Sequence, residues 1–216
     1  MNAYMKYMLY YSPGSCSLAV HIVLEELGLP FSLELASTAD GTTRSNEYLC
    51  VNPKGRVPVL VSGEFVLTEA PAILMYLAAT NPVANLTPAS PEGMARTLEW
   101  FNWLSGSVHA VAVRQVWRPE TFTTDAAQHD AIVEKGRESL GIAFGLIEKK
   151  LLSAQLAVGS AYSVVDPYLL VFYRWGNRMG FDMTDRYPQW TRHTRWLIER
   201  PAVQRALARE SISVWS

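Results

Sequence analysis

Tyr10-Tyr11-Ser12-Pro13-Gly14-Ser15-Cys16-Ser17 ends a short apolar strand, Tyr7–Tyr11, at a Pro-Gly break and restarts the chain as a helix. Val20, Val23, Leu24 and Leu27 then recur at helical spacing until Gly28 stops the helix. Phe31–Leu35 alternates apolar and polar residues, the period of a strand. A strand, a helix and a strand in this order predict a parallel pair with a right-handed crossover. Further on, Val57–Val61 and Glu64–Leu67 flank Ser62-Gly63 as the arms of a tight hairpin. Thr68 is expected to cap the next helix, which carries Glu69 in its first turn and runs to about Ala79. The first unit thus reads as βαβ, a turn-rich middle over 36–56, then ββα: a small mixed α/β sheet covered by helices.

Thr80–Pro91 holds three prolines and reads as a linker. Everything beyond it reads helical, with candidates at Glu92–Val113, Asp125–Leu152, Val164–Met179, Pro188–Glu199 and Pro201–Arg209. The expected division is residues 1–80, a linker at 81–91 and an all-α region at 92–216. Ser163-Val164-Val165-Asp166 fits a capping-box variant ahead of Pro167, and Tyr168–Tyr173 is apolar on all sides, the mark of a buried central helix.

Composition narrows the function. Hydrophobic residues make up 49% and charged residues 18% of the 216, so a substantial core is expected. The net charge of −1 gives no global attraction to nucleic acid or anionic membrane. Residues 174–210 carry eight arginines against four acidic residues, read as solvated helix faces. Two cysteines, no apolar run approaching a membrane span and an N-terminal stretch too interrupted for a signal peptide lead to the expectation of a cytoplasmic chain. No metal-ligand pattern is read.

Cys16 falls where unpaired N–H groups and the helix dipole favour a thiolate, so it is expected to be reactive or to meet another sulfur compound. Val57-Pro58 opens the third strand, where an X-Pro bond is able to be cis and to leave the Val57 backbone free for an extended ligand. The helix start at Glu69-Ala70 offers N–H groups to a carboxylate. Glu99, Asn102, Gly106 and His109 share one face at α-helical spacing, a polar stripe that faces either solvent or a cleft. Cys50 and His21 read as packing residues.

Tyr11–Leu18, Asn52–Leu60 and Leu67–Ile73, with Glu99–Leu104, Val108-His109 and the Ser163–Asp166 box, resemble the glutathione transferase family, in particular its bacterial beta class. The resemblance implies a thioredoxin-like first domain, an all-helical second domain, a homodimer and glutathione as co-substrate. It implies that Cys16 meets the glutathione sulfur with Tyr11 and Ser17 beside it. Val57, before a cis Pro58, would pair with the cysteinyl unit; Glu69 and Ala70 would hold the γ-glutamyl end; Asn102 and His109 would approach from the helical domain. The activity implied is conjugation of glutathione to small hydrophobic electrophiles, a detoxifying reaction, with the electrophile against aromatic residues such as Trp117. Two other activities belong to the same fold: thiol–disulfide reduction or dehalogenation through Cys16, and glutathione binding without turnover. The lysines usual in the class near the glycyl carboxylate and after the helical-domain histidine are absent; Ala39–Thr42 and Ala110 stand there, and Arg44 or Arg56 is the candidate replacement.

Overall fold

The computed structural model describes residues 6–154 and 156–215. Strand β1 (Tyr7–Tyr11) leads through helix α1 (Ser17–Leu27) to β2 (Phe31–Leu35), which pairs with β1 in parallel from Tyr7↔Phe31 to Tyr11↔Leu35. Strand β3 (Val59–Ser62) runs antiparallel to β1 and turns through Gly63-Glu64 into β4 (Phe65–Thr68), giving the order β2-β1-β3-β4. Gly63, at φ 60°, supplies the left-handed residue that this two-residue turn requires. The sheet is the mixed one the alternation predicted.

Alternation along β1 divides two cores. Tyr7 and Leu9 face α1 and helix α3 (Ala70–Thr80) in the main apolar cluster, while Tyr10 faces a smaller one built on Ala36, Tyr48, Val57 and Val59. Tyr48 comes from α2 (Asn46–Val51), a helix inside the stretch read as irregular. Six residues are too few to show a helical period, but Ser45 caps them by accepting the Tyr48 N–H at 3.2 Å.

In the helical region, α4 (Pro91–Asn102) passes without a break into a π-helical stretch, Trp103–Val113, and then α5 (Arg114–Trp117). The single α-helix expected over Glu92–Val113 is corrected here: the Arg114 N–H reaches back five residues to the His109 carbonyl. Helices α6 (His129–Ser153), α7 (Val165–Arg178), α8 (Met183–Arg186), α9 (Pro188–Ile198) and α10 (Pro201–Glu210) follow. Every residue of α7 from Val165 to Gly176 is buried, as its all-round apolar sequence predicts. Asp166 ties that helix down, accepting from Ser163 N at 2.7 Å, Ala157 N at 3.1 Å and His193 Nε2 at 2.8 Å.

The arginine-rich C-terminal segment is not simply a solvated face. Arg205 and Arg209 donate to Glu25 at 2.6 and 2.8 Å, and Arg200 forks onto Glu26 at 2.6 and 3.0 Å, fastening α10 and its N-terminal flank to α1. Arg174 is buried and donates to the Ser213 carbonyl at 2.8 Å. Among the described residues no helix is long and apolar enough to cross a membrane.

Candidate functional site

Cys16 is the N-cap of α1, one residue ahead of the first helical turn, and its thiol points at the Val57 carbonyl, 3.5 Å away. Val57-Pro58 is a cis peptide bond. The thiolate expected at this helix start is not the form the free protein holds. Burial pushes the Cys16 thiol up to about 12; its own backbone N–H and Arg56 pull the other way, and Glu69 adds to the rise. Desolvation exceeds what the helix terminus returns.

The loop ahead of Cys16 is held from both sides. Ser17 is fully buried: its hydroxyl accepts the Ser12 N–H, donates to the Ser12 carbonyl and accepts from Ser15 at 2.8 Å. Its oxygen is committed to the turn. Gly14, at φ 66°, donates its N–H to Glu210 Oε2 at 2.8 Å, and its carbonyl accepts Trp175 Nε1 at 2.9 Å. A β-carbon on Gly14 would fall 2.3 Å from Arg174 Nη1, so a side chain here would be strained at its positive φ and would displace the buried Arg174 guanidinium. The other oxygen of Glu210 meets His21 Nδ1 at 2.8 Å, with both side chains sealed from solvent. Tyr11 leans on the His21 ring, centroids 6.3 Å apart.

Glu69 is the N-cap of α3 rather than a first-turn residue, and it stands at φ 72°, ψ 117°. Such a conformation costs a non-glycine residue about 1–3 kcal/mol and concentrates at functional sites. Its carboxylate pairs with Lys54, whose Nζ also donates to Thr68 Oγ1 at 2.7 Å. Thr68 thus receives a lysine and caps nothing. Ala70 is buried as the first helical residue, and Pro71 follows it, so the Ala70 N–H stands at the positive end of the helix dipole.

His109 lies in the π-helical stretch with its ring on Trp175, centroids 4.8 Å apart, and near Phe172 at 6.4 Å. Burial, reinforced by Arg56 and Arg114 and opposed by Glu69, brings its imidazole down to about 4, so it is neutral at pH 7. Trp175, on which His109 packs, donates to the Gly14 carbonyl two residues before Cys16, so the helical region reaches the Cys16 loop. Asn102, the last residue of α4, is exposed. The one-face reading of Glu99 through His109 does not hold. Glu99 pairs with Arg96 and lines a groove with Trp103, Leu146 and Lys150, whereas His109 packs on α7. The π turn between them advances the helix by more residues per turn than the 3.6 assumed. Trp175, Arg174 and Glu210 escaped the sequence reading because they reach the Cys16 loop from more than 150 residues away.

The neutral state of His109 carries a pH signature. Its folded value lies near 4 against about 6.5 unfolded, so the unfolded chain binds the extra proton between them. The stability is fully present above pH 6.5 and is lost as pH falls towards 4, on the order of 3 kcal/mol. Urea unfolding across that window is expected to show the slope, and His109→Phe to flatten it; an unchanged slope in the variant contradicts the assignment.

Residues 5–79 match the family model described as glutathione S-transferase, N-terminal domain. The chain is 33% identical over 184 residues to a glutathione S-transferase of Xanthomonas campestris, covering 82% of this chain and 85% of that one. Its fold matches the crystal structure of a glutathione transferase homolog from Sulfitobacter with bound glutathione at TM-score 0.90 and 28% identity, covering 96% and 100% of the two chains. It matches a bacterial beta class glutathione S-transferase of Sphingomonas chungbukensis at TM-score 0.79 and 33% identity, covering 95% and 100%. The chain belongs to the glutathione S-transferase family.

Proposed function

We propose that this chain conjugates the thiolate of glutathione to small electrophiles, with glutathione across the N-terminal sheet and the electrophile against the helical wall. The observation that carries this is the meeting of the Cys16 thiol with the Val57 carbonyl, under the influence of Glu69 from one side and near the reach of Arg56, whose charge also acts on His109. In this reading Val57, beside Pro58, pairs with the cysteinyl backbone, the Ala70 N–H takes the γ-glutamyl carboxylate and Glu69 its ammonium. Cys16 lies beside the glutathione sulfur, Tyr11 and Ser17 support that loop, and Asn102 approaches from the end of α4. His109, neutral at pH 7, accepts a hydrogen bond from the glutathione thiol, whose proton passes to the buffer. Arg56 serves the glycyl carboxylate better than Arg44, whose guanidinium packs against Gly55.

The raised Cys16 weighs against the reading in which Cys16 itself attacks, because the thiolate is the nucleophile. Conjugation of chlorodinitrobenzene by the wild type and by Cys16→Ala separates the two.

A homodimer of beta-class type is part of this proposal. A groove of about 300 Å³ between the π-helical stretch and α6, lined by Trp103, Val108, Val111, Ile142 and Leu146, supports it. Phe65 and Val66 on β4, the sheet edge, add exposed apolar surface. None of the residues proposed to hold glutathione lines this groove, and in this reading its occupant is a second copy. The two unpaired cysteines accord with a cytoplasmic setting.

A further inference from the structure

The wall on which the electrophile would rest is aromatic and also cationic. Trp117 meets Trp175 edge-on with centroids 5.3 Å apart, and Trp175 meets His109 at 4.8 Å, a continuous row of rings from α5 through α7 to the π-helical stretch. One guanidinium, Arg178, stands over this row at Trp117, and a second, Arg114, lies three residues before Trp117 on α5, one helical turn away. Arg178 stands 5.8 Å from the Trp117 ring, and Arg114 stands 5.9 Å from the Phe122 ring while its backbone N–H holds the His109 carbonyl. Among the described residues, the ion pair nearest in sequence to Arg114 is that of Arg118 with Glu120, and Arg114 and Arg178 make their side-chain contacts with aromatic rings.

Nearby carboxylates are already engaged: Glu120 pairs with Arg118 at 3.9 Å, and Glu69 pairs with Lys54. The positive field is felt by its neighbours. Arg114 helps to depress the His109 imidazole, and Arg178 helps burial to depress the Arg174 guanidinium. Like charges gathered on an apolar wall repel, and an anion placed among them removes that cost. A planar anion suits the guanidinium fork, and an aromatic ring suits Trp117.

We propose that the electrophile of this chain is an aromatic anion, an aryl halide bearing a carboxylate or sulfonate, whose ring lies on Trp117 and whose acid group meets Arg114 and Arg178. This rests on the transferase reading and narrows it. In the reaction the glutathione sulfur forms a bond to the ring carbon, the carbon–halogen bond breaks, halide departs with the electron pair, and the thiol proton passes to the buffer.

The test compares chlorodinitrobenzoate with its uncharged carboxamide, each rate divided by its uncatalysed rate. The wild type is expected to favour the carboxylate about tenfold in kcat/KM, the effect of one charge-assisted hydrogen bond. Arg114→Gln with Arg178→Gln is expected to bring the ratio to about one. A wild-type ratio of one or less, or a ratio that the double variant leaves unchanged, overturns the proposal. Tryptophan quenching by dinitrobenzoate and dinitrobenzamide, which carry no leaving group, reads binding without turnover. Tighter binding of the benzoate with no conjugation of either halide overturns the transferase reading and supports the anion site; equal binding overturns the anion site.

Discussion

Glu210→Ala is expected to lower folding stability by about 3–5 kcal/mol, the scale of two buried hydrogen bonds to a carboxylate at about 1.5–3 kcal/mol each. The carboxylate is sealed from solvent, and its two oxygens serve two elements of the N-terminal region, His21 Nδ1 and the Gly14 N–H, both at 2.8 Å. Alanine leaves a buried imidazole and a buried amide without acceptors and opens a cavity between α1 and α10. For a chain of this size the loss corresponds to a fall of roughly 10 °C in Tm. Glu210→Gln keeps an acceptor for one of the two donors and is expected to cost about half as much. A double-mutant cycle with His21→Ala is expected to show strong non-additivity, since both changes act on one contact. A loss below about 1 kcal/mol, the value of a surface pair, contradicts this account.

Glu69→Gln is expected to reduce kcat/KM for glutathione by about 10- to 100-fold, mostly through KM, the range for one hydrogen bond to a charged group. In the free protein the Glu69 carboxylate is held by Lys54. The γ-glutamyl ammonium would take up the same carboxylate, and glutamine keeps the size of the side chain while removing its charge. A glutathione analogue without the amino group supplies the control, because its affinity should be the same for the wild type and the variant. If the variant weakens the analogue as much as glutathione, Glu69 shapes the strained turn at φ 72° rather than meeting the ammonium.

The sheet was readable because its signals are local. Tyr7–Tyr11 is a short apolar run cut by Pro-Gly, Phe31–Leu35 alternates, and the Gly63 turn separates the hairpin strands. Helix α2 was unreadable as a period because it is six residues long, although Ser45 three residues before Tyr48 carries its capping signal. The π-helical stretch leaves no mark in a pattern built on 3.6 residues per turn, and this placed Glu99 and His109 on one face. The grip of Trp175 and Glu210 on Gly14 joins residues 161 and 196 positions apart, beyond the reach of spacing arguments. The charge state of Cys16 was misread for a related reason. A helix start is visible in sequence, whereas the burial that outweighs it depends on the folded neighbours.

The central claim is that the sulfur of glutathione, not that of Cys16, attacks the electrophile. The most direct measurement is the rate of chlorodinitrobenzene conjugation by wild type and Cys16→Ala at saturating glutathione, above the uncatalysed rate. The account expects saturable turnover in both, with the variant within about tenfold of the wild type, the scale of a lost neighbour rather than a lost nucleophile. Turnover in the wild type that vanishes in Cys16→Ala, or no turnover in either, contradicts it.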